Sequence, residues 1–254
     1  MHLPAGPKET QITRLLTVLS QALRSRSQDT RDLVRETMCR IIVTLGQSYL
    51  PYAVRELRAA LVRGPQLHVL AYVIHAIISY VTAPERKEGI FADLDACVDD
   101  IAYVASEVVF GESGKDVQSE DFKTKMREVK ASASKGLDTF ALTARYVSPA
   151  HIGALLRPLR SVMEVTTSAK PMQQVDEVLR RIAGGLNTNA RLDPPELLVL
   201  CHTLISQNGR FLREAPPKPK SKAKTKKDDT IIHVKRKNVT QEDQYVHNSY
   251  RLVQ

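Results

Sequence analysis

The sequence predicts an all-α fold: a solenoid of stacked helical pairs, followed by a disordered basic C-terminal segment. Three observations carry this expectation. Apolar residues recur at spacings of three and four through most of residues 9–209, which places each set on one helical face. In residues 29–82 the breaks between sets are little more than single glycines, Gly46 and Gly64, so consecutive helices must turn back on one another. From Pro216 onward, Lys and Pro replace the apolar periodicity, and such a stretch cannot pack a core. The sequence therefore divides into a short disordered N-terminus at residues 1–8, helical repeats at 9–209, and a basic, largely disordered tail or linker at 210–254.

Element by element, residues 10–23 form a first helix with Ile12, Leu15, Leu16, Leu19 and Leu23 on its apolar side. Residues 29–45 form a second, with Asp29 as its N-cap and two rows, Leu33, Thr37, Ile41, Leu45 and Val34, Met38, Ile42. Residues 49–62 carry Leu50, Val54, Leu57 and Leu61. Residues 66–81 carry Leu67, Leu70, Ile74, Ile77 and Val81, with Pro65 at the helix start, where its missing N–H does no harm. A Pro-containing charged loop at 83–89 leads to a helix at 90–110, with Leu94, Val98, Ile101, Ala105 and Val108 facing inward.

After a polar loop, residues 119–147 form a longer helix. Its expected inward row is Phe122, Met126, Val129, Ala133, Phe140 and Ala144, and Gly136 is a candidate bend. Ser148-Pro149 starts a helix to about residue 165, in which Pro158 predicts a kink or second start. Residues 173–186 and 197–206 complete the series, the last entered through Asp193-Pro194-Pro195. Val34 and Val69 hold similar places 35 residues apart. A helical pair every 35–47 residues or so fits the HEAT or armadillo type.

Composition narrows the function. Trp is absent and aromatics make up 5% of residues, so aliphatic side chains supply the packing. Cys39, Cys97 and Cys201 are far apart and predicted helical, which reads as reduced, buried thiols of a nuclear or cytosolic protein. Residues 1–9 have no apolar core and do not form a secretory signal. The longest apolar run, 67–82, is interrupted by His68 and His75 and falls short of the ~20 residues needed to span a bilayer; no membrane partner is expected. The net charge of +9 is uneven: residues 210–254 hold 12 Lys and Arg against 5 Asp and Glu, and the remainder 25 against 23. The body is close to neutral, so its charge alone does not point to nucleic acid.

No motif specifies catalysis, a cofactor, a metal or a small-molecule substrate. Gly111-Glu112-Ser113-Gly114-Lys115 lacks the first glycine and the final Ser or Thr of a phosphate-binding loop, and no strand precedes it. Asp93, Asp95, Asp99 and Asp100 miss the calcium-loop pattern, because Cys97 and Val98 occupy required positions; they read as a charged outer helix face. His68 and His75 are seven apart without a third ligand and read as partly buried structural residues. His151 has no evident acid or nucleophile partner.

The chemically specific surface is two basic clusters: Lys218, Lys220, Lys222, Lys224, Lys226 and Lys227, then Lys235, Arg236 and Lys237. Three readings stay open for them: a nuclear-import signal, an RNA-contacting tail, and a solubilising linker. Few aromatics interleave with the lysines, so any RNA contact there is phosphate-directed.

Particular residues then add a resemblance. Val34-Arg35-Glu36-Thr37, Leu45-Gly46, Tyr49-Leu50-Pro51, Glu56-Leu57, Leu61, Gly64, Gln66-Leu67-His68-Val69-Leu70, Tyr72 and His75 resemble a segment of the "down-regulated in metastasis" family, the very long nucleolar HEAT-repeat proteins that form component twenty of the small-subunit processome. The ending His247-Asn248-Ser249-Tyr250-Arg251 is also similar. Pro65 departs from the family, which more often has an aromatic residue after the glycine. Members are many times longer, so the resemblance makes this chain an internal or C-terminal-region piece. It implies a non-catalytic scaffold in the nucleus and nucleolus, acting in pre-rRNA processing. The implied partners are pre-ribosomal RNA, the small nucleolar ribonucleoprotein particle and other processome proteins. The alternative is a HEAT- or armadillo-type protein-binding adaptor, such as a nuclear transport factor.

Overall fold

A computed structural model describes residues 5–62, 64–83, 94–111, 126–166, 168–209 and 250–252. Among these, nine α-helices form, and no strand. They are α1 (Ala5–Ala22), α2 (Gln28–Leu45), α3 (Leu50–Ala60), α4 (Pro65–Val81), α5 (Val98–Phe110), α6 (Arg127–Tyr146), α7 (Ile152–Val165), α8 (Ala169–Leu186) and α9 (Pro194–Gly209).

They stack in two rows. The odd helices pack α1 on α3, α3 on α5 and α5 on α7; the even helices pack α2 on α4, α4 on α6 and α6 on α8. Helices α1 to α8 also cross to the other row, α4 and α6 both meeting α5. This is the architecture of an α-solenoid built from HEAT-like pairs, as the periodicity predicts. The even row advances 37 residues from the start of α2 at Gln28 to that of α4 at Pro65, and 42 from the start of α6 at Arg127 to that of α8 at Ala169.

The core is aliphatic and continuous through α5. Ile101 and Val104 of that helix close a first cluster with Met38, Ile42, Leu57 and Ile77. Val98, Ala102 and Ala105 of the same helix open a second, with Phe140, Leu155, Leu159, Val175 and Val178. α9 stands at the end and packs on the 3₁₀ turn Tyr250–Leu252, where Leu252 is buried. Leu198 and Val199 on α9 remain 71% and 66% exposed.

The structure departs from the sequence expectations at specific points. α1 begins at Ala5, before the predicted start at residue 10. The α2 cap is Ser27, whose hydroxyl accepts the Thr30 N–H at 3.3 Å, and Asp29 sits in the first turn instead. Of the two α2 rows, Val34, Met38 and Ile42 are buried, whereas Leu33 is 67% exposed. α7 runs through Pro158 without a second start. Cys39 and Cys97 are buried, but Cys201, on the sparsely covered α9, is exposed.

The largest departure is α6. Ala133 is exposed, and the buried face is Glu128, Ser132, Gly136, Thr139, Phe140, Thr143 and Ala144. Gly136 does not break the helix. A Cβ there would lie 2.9 Å from methyls of Val108 and Val109 and 3.0 Å from the Ala105 carbonyl, so the glycine lets α6 approach α5 closely. Residues 112–125, which include Phe122, most of the glycine-lysine loop and part of the predicted helix, lie outside the described residues.

Candidate interaction surface

Polar side chains fix α6 between its neighbours. Arg31 of α2 donates to both carboxylate oxygens of Glu128, at 2.9 and 3.0 Å, and to the carbonyls of Ser25 and Arg26. Arg31 and Glu128 are buried, at 3% and 1% exposure. Burial by itself pushes the Glu128 carboxyl up, but the Arg31 hydrogen bonds and charge, with Arg127 nearby, outweigh it and hold the group below its ordinary value. Ser132 donates to the Val129 carbonyl, so it accepts from Nδ1 of His68 at 2.6 Å.

His75 is part of the same seam. Thr139 donates to the Lys135 carbonyl at 2.7 Å and accepts from His75 Nδ1 at 3.3 Å, while Lys135 Nζ donates to His75 Nε2 at 3.3 Å. Burial first, and the Lys135 charge second, push His75 down to about 4, so its imidazole is neutral at pH 7. Both histidines are structural, as the sequence predicts.

Of the predicted charged outer face, Asp99 is exposed, and Asp95 and Asp100 are half-buried; all three have partners. Asp95 accepts the Ser148 N–H at 2.8 Å and Arg191 at 3.1 Å; Asp99 pairs with Arg157, and Asp100 with Arg58. Asp93 lies outside the described residues. His151 does have partners: Ser148, three residues before it, puts its Oγ 2.9 Å from the His151 Nδ1, and folding brings Asp95 Oδ2 to 3.5 Å from the same atom. A hydrolytic triad needs the serine and the acid on opposite ring nitrogens, so that the imidazole can relay a proton. Here both face Nδ1, and the cluster is a helix-entry clasp. Among the described residues, no group of three or more His, Cys, Asp or Glu could hold a metal ion, and no helix is long and apolar enough to cross a membrane.

The two predicted basic clusters, Lys218 to Lys227 and Lys235 to Lys237, lie outside the described residues. The helical body has its own cationic surface, which the sequence reading missed. The even helices together carry ten Lys and Arg against seven Asp and Glu, and the odd helices six against seven. The excess lies on α6 and α8, where a groove of about 430 Å³ runs between α4, α6 and α8.

His75, Ala141, Leu142 and Gly185 contribute to the floor of the groove, and Arg145, Arg180 and Arg181 to its rim. Arg181 donates to Asp138 at 3.1 Å and to Glu177 at 2.9 Å. Arg180 also pairs with Glu177. The Arg181 hydrogen bond, reinforced by both arginine charges, holds the Glu177 carboxyl below its ordinary value. The Arg145 guanidinium lies 5.7 Å from the Tyr146 ring centroid, and no ion pair joins it to a carboxylate among the described residues. Lys135, beside the groove, faces the neutral His75. Four cations thus share two carboxylates.

The signal was present in the spacing of Lys135, Asp138, Leu142 and Arg145, which puts them on one α6 face. Only packing beside Arg180 and Arg181 turns that face into a groove.

A family profile described as "U3 small nucleolar RNA-associated protein 20 domain" matches residues 1–205. Among curated proteins, U3 small nucleolar RNA-associated protein 20 of Saccharomyces cerevisiae is 32% identical over 230 residues, covering 89% of this chain and 9% of the relative. The protein of the same name from Schizosaccharomyces pombe is 32% identical over 201 residues, covering 78% of this chain and 8% of the relative. The chain therefore spans less than a tenth of the length of either relative.

Proposed function

The chain belongs to the U3 small nucleolar RNA-associated protein 20 family, and from that premise we propose that it is one non-catalytic stretch of a long helical scaffold in small-ribosomal-subunit biogenesis. The observation that carries this reading is the 32% identity along 89% of the chain to a relative whose name records association with U3 small nucleolar RNA. The two-row stack supports it physically: stacked helical pairs present long, continuous faces suited to holding several partners at once.

The partners in this reading are pre-ribosomal RNA, the small nucleolar ribonucleoprotein particle and other processome proteins, and its place is the nucleolus. The stack at residues 9–209 supplies shape. The tail at 210–254, through Lys218, Lys220, Lys222, Lys224, Lys226, Lys227, Lys235, Arg236 and Lys237, supplies either import or phosphate contact.

Ultraviolet crosslinking in cells tests the reading. Tagged full-length protein is expected to recover small-subunit precursor RNA. Recovery of protein partners with no ribosomal precursor would overturn it and favour a protein-only transport adaptor.

A further inference from the structure

We propose that the groove between α4, α6 and α8 is a phosphodiester-binding site that grips a single RNA strand through Arg145, Arg180 and Lys135, independently of the basic tail. The proposal rests on the scaffold reading above and assigns an RNA contact to one surface of the body.

Four observations point to this ligand. Lys135, Arg145, Arg180 and Arg181 share only Asp138 and Glu177 around the groove, which leaves two positive charges uncompensated. A repeating anion supplies that compensation, and displacing its counterions drives binding.

The second observation is exposure. The Arg180 side chain is 73% exposed and Arg181 43%, so both guanidiniums reach solvent with donors to spare. Guanidinium forks match phosphate oxygens in pairs. Arg181 is anchored by Asp138 and Glu177 on two helices, which fixes the rim before a ligand arrives.

Third, the floor of the groove is bare. Gly184 is exposed, and a Cβ there would meet nothing within 4 Å, while Ala141 and Gly185 line the groove beside it. A ribose-phosphate backbone can approach this stretch of α8 closely, as glycine permits elsewhere. An arginine cluster can also take an acidic peptide, but a peptide's side chains would need pockets between the cations, and the Ala141, Gly184 and Gly185 floor offers a flat track instead. Leu142 is the one large apolar residue in the lining, and no strand forms among the described residues to offer an edge.

Fourth, no Phe, Tyr or Trp lines the groove, and the one imidazole there, His75, is held in the seam by Thr139 and Lys135, so base stacking is not built in. His75, held neutral at pH 7, adds no charge. The site therefore reads phosphates and carries no sequence preference.

The test uses the 254-residue chain with the nine tail cations changed to Gln, so that the body's contribution stands alone. The probe is a labelled 20-nucleotide uridine oligomer, with a 20-residue oligoglutamate as the acidic-peptide control. In this background, Arg145→Gln with Arg180→Gln is expected to weaken uridine-oligomer binding on the order of tenfold at 0.1 M salt. The slope of log affinity against log salt should fall by about 1.4, since each lost phosphate contact on a single strand removes ~0.7.

Both arginines are exposed and lie outside the core, so the thermal midpoint is expected to stay put. Arg145→Lys with Arg180→Lys should keep the slope. An unchanged affinity and slope in the Gln variant would overturn the proposal, as would no RNA binding by the tail-neutralised chain. Tighter binding of oligoglutamate than of RNA, lost in the same variant, would make the groove an acidic-peptide site and also overturn it. Failure of the scaffold reading looks different: full-length protein would miss the precursor particles while the groove still bound the oligomer.

Discussion

Glu128→Gln is expected to destabilise the fold by about 3–5 kcal/mol, the range for breaking a buried ion pair by removing one partner. The cost arises because Arg31 stays behind. Its guanidinium is buried with Glu128, and the Ser25 and Arg26 carbonyls it also contacts cannot neutralise its charge. The pair joins α2 to α6 across 97 residues of sequence, so its loss releases the even row at the first cluster. Denaturant midpoints of the two proteins measure the difference.

The acid limb gives a second readout of the same pair. The Glu128 carboxyl lies below its ordinary value of 4.5 in the folded chain. A depressed carboxyl contributes stability that is fully present above the unfolded value and is lost as pH falls through the folded one. Native protein should therefore lose stability on acidification below about pH 4.5, and the Gln variant should lose less over that window. Replacing Arg31 and Glu128 together by apolar residues of similar volume should recover much of the loss, since a buried pair often contributes little beyond a packed apolar one.

Gly185→Ala is expected to cost about 2–3 kcal/mol, at the upper part of the range for overpacking. A Cβ at Gly185 would lie 2.3 Å from the Ala141 carbonyl oxygen and 2.8 Å from the Ala144 Cβ. Both belong to α6, whose backbone cannot yield as a side-chain tip would, so α8 must move away. Gly184→Ala is the matched control: its new methyl meets nothing within 4 Å, and helix propensity should make the change neutral or stabilising by up to about 1 kcal/mol. Thermal unfolding of the two variants separates close approach from propensity, which would move both in the same direction.

The helices were legible because their apolar rows recur at helical spacing. Leu50, Val54, Leu57 and Leu61 fall where the period puts them, all buried, and Pro65 starts α4 despite its departure from the family pattern. α6 was misread for a definite reason. Apolar periodicity weights Val129 and Ala133, but the buried face is polar and small, carrying Glu128, Ser132 and Thr139. Those residues are satisfied by Arg31, His68 and His75, which lie 60 or more residues earlier. No local pattern reveals partners so distant. A whole-chain charge count hid the groove in the same way, because near-neutrality averages an even row rich in Lys and Arg with an odd row in which acids slightly outnumber bases. Asp95 shows the converse: an acid read as solvated is the point where Ser148 and Arg191 meet.

The buried polar seam and the cationic groove adjoin on α6 and meet at His75 and Lys135, but Glu128 and Gly185 are buried whereas Arg145 and Arg180 are exposed. Stability changes at Glu128 or Gly185 and binding changes at Arg145 or Arg180 should therefore be separable.

The central claim, that this chain is a stretch of a scaffold in small-subunit biogenesis, is tested most directly by density-gradient sedimentation of nuclear extract containing the tagged full-length protein. The account predicts co-sedimentation with small-subunit precursor particles and a nucleolar signal in the same cells. Confinement to light fractions, with no nucleolar signal, would contradict it.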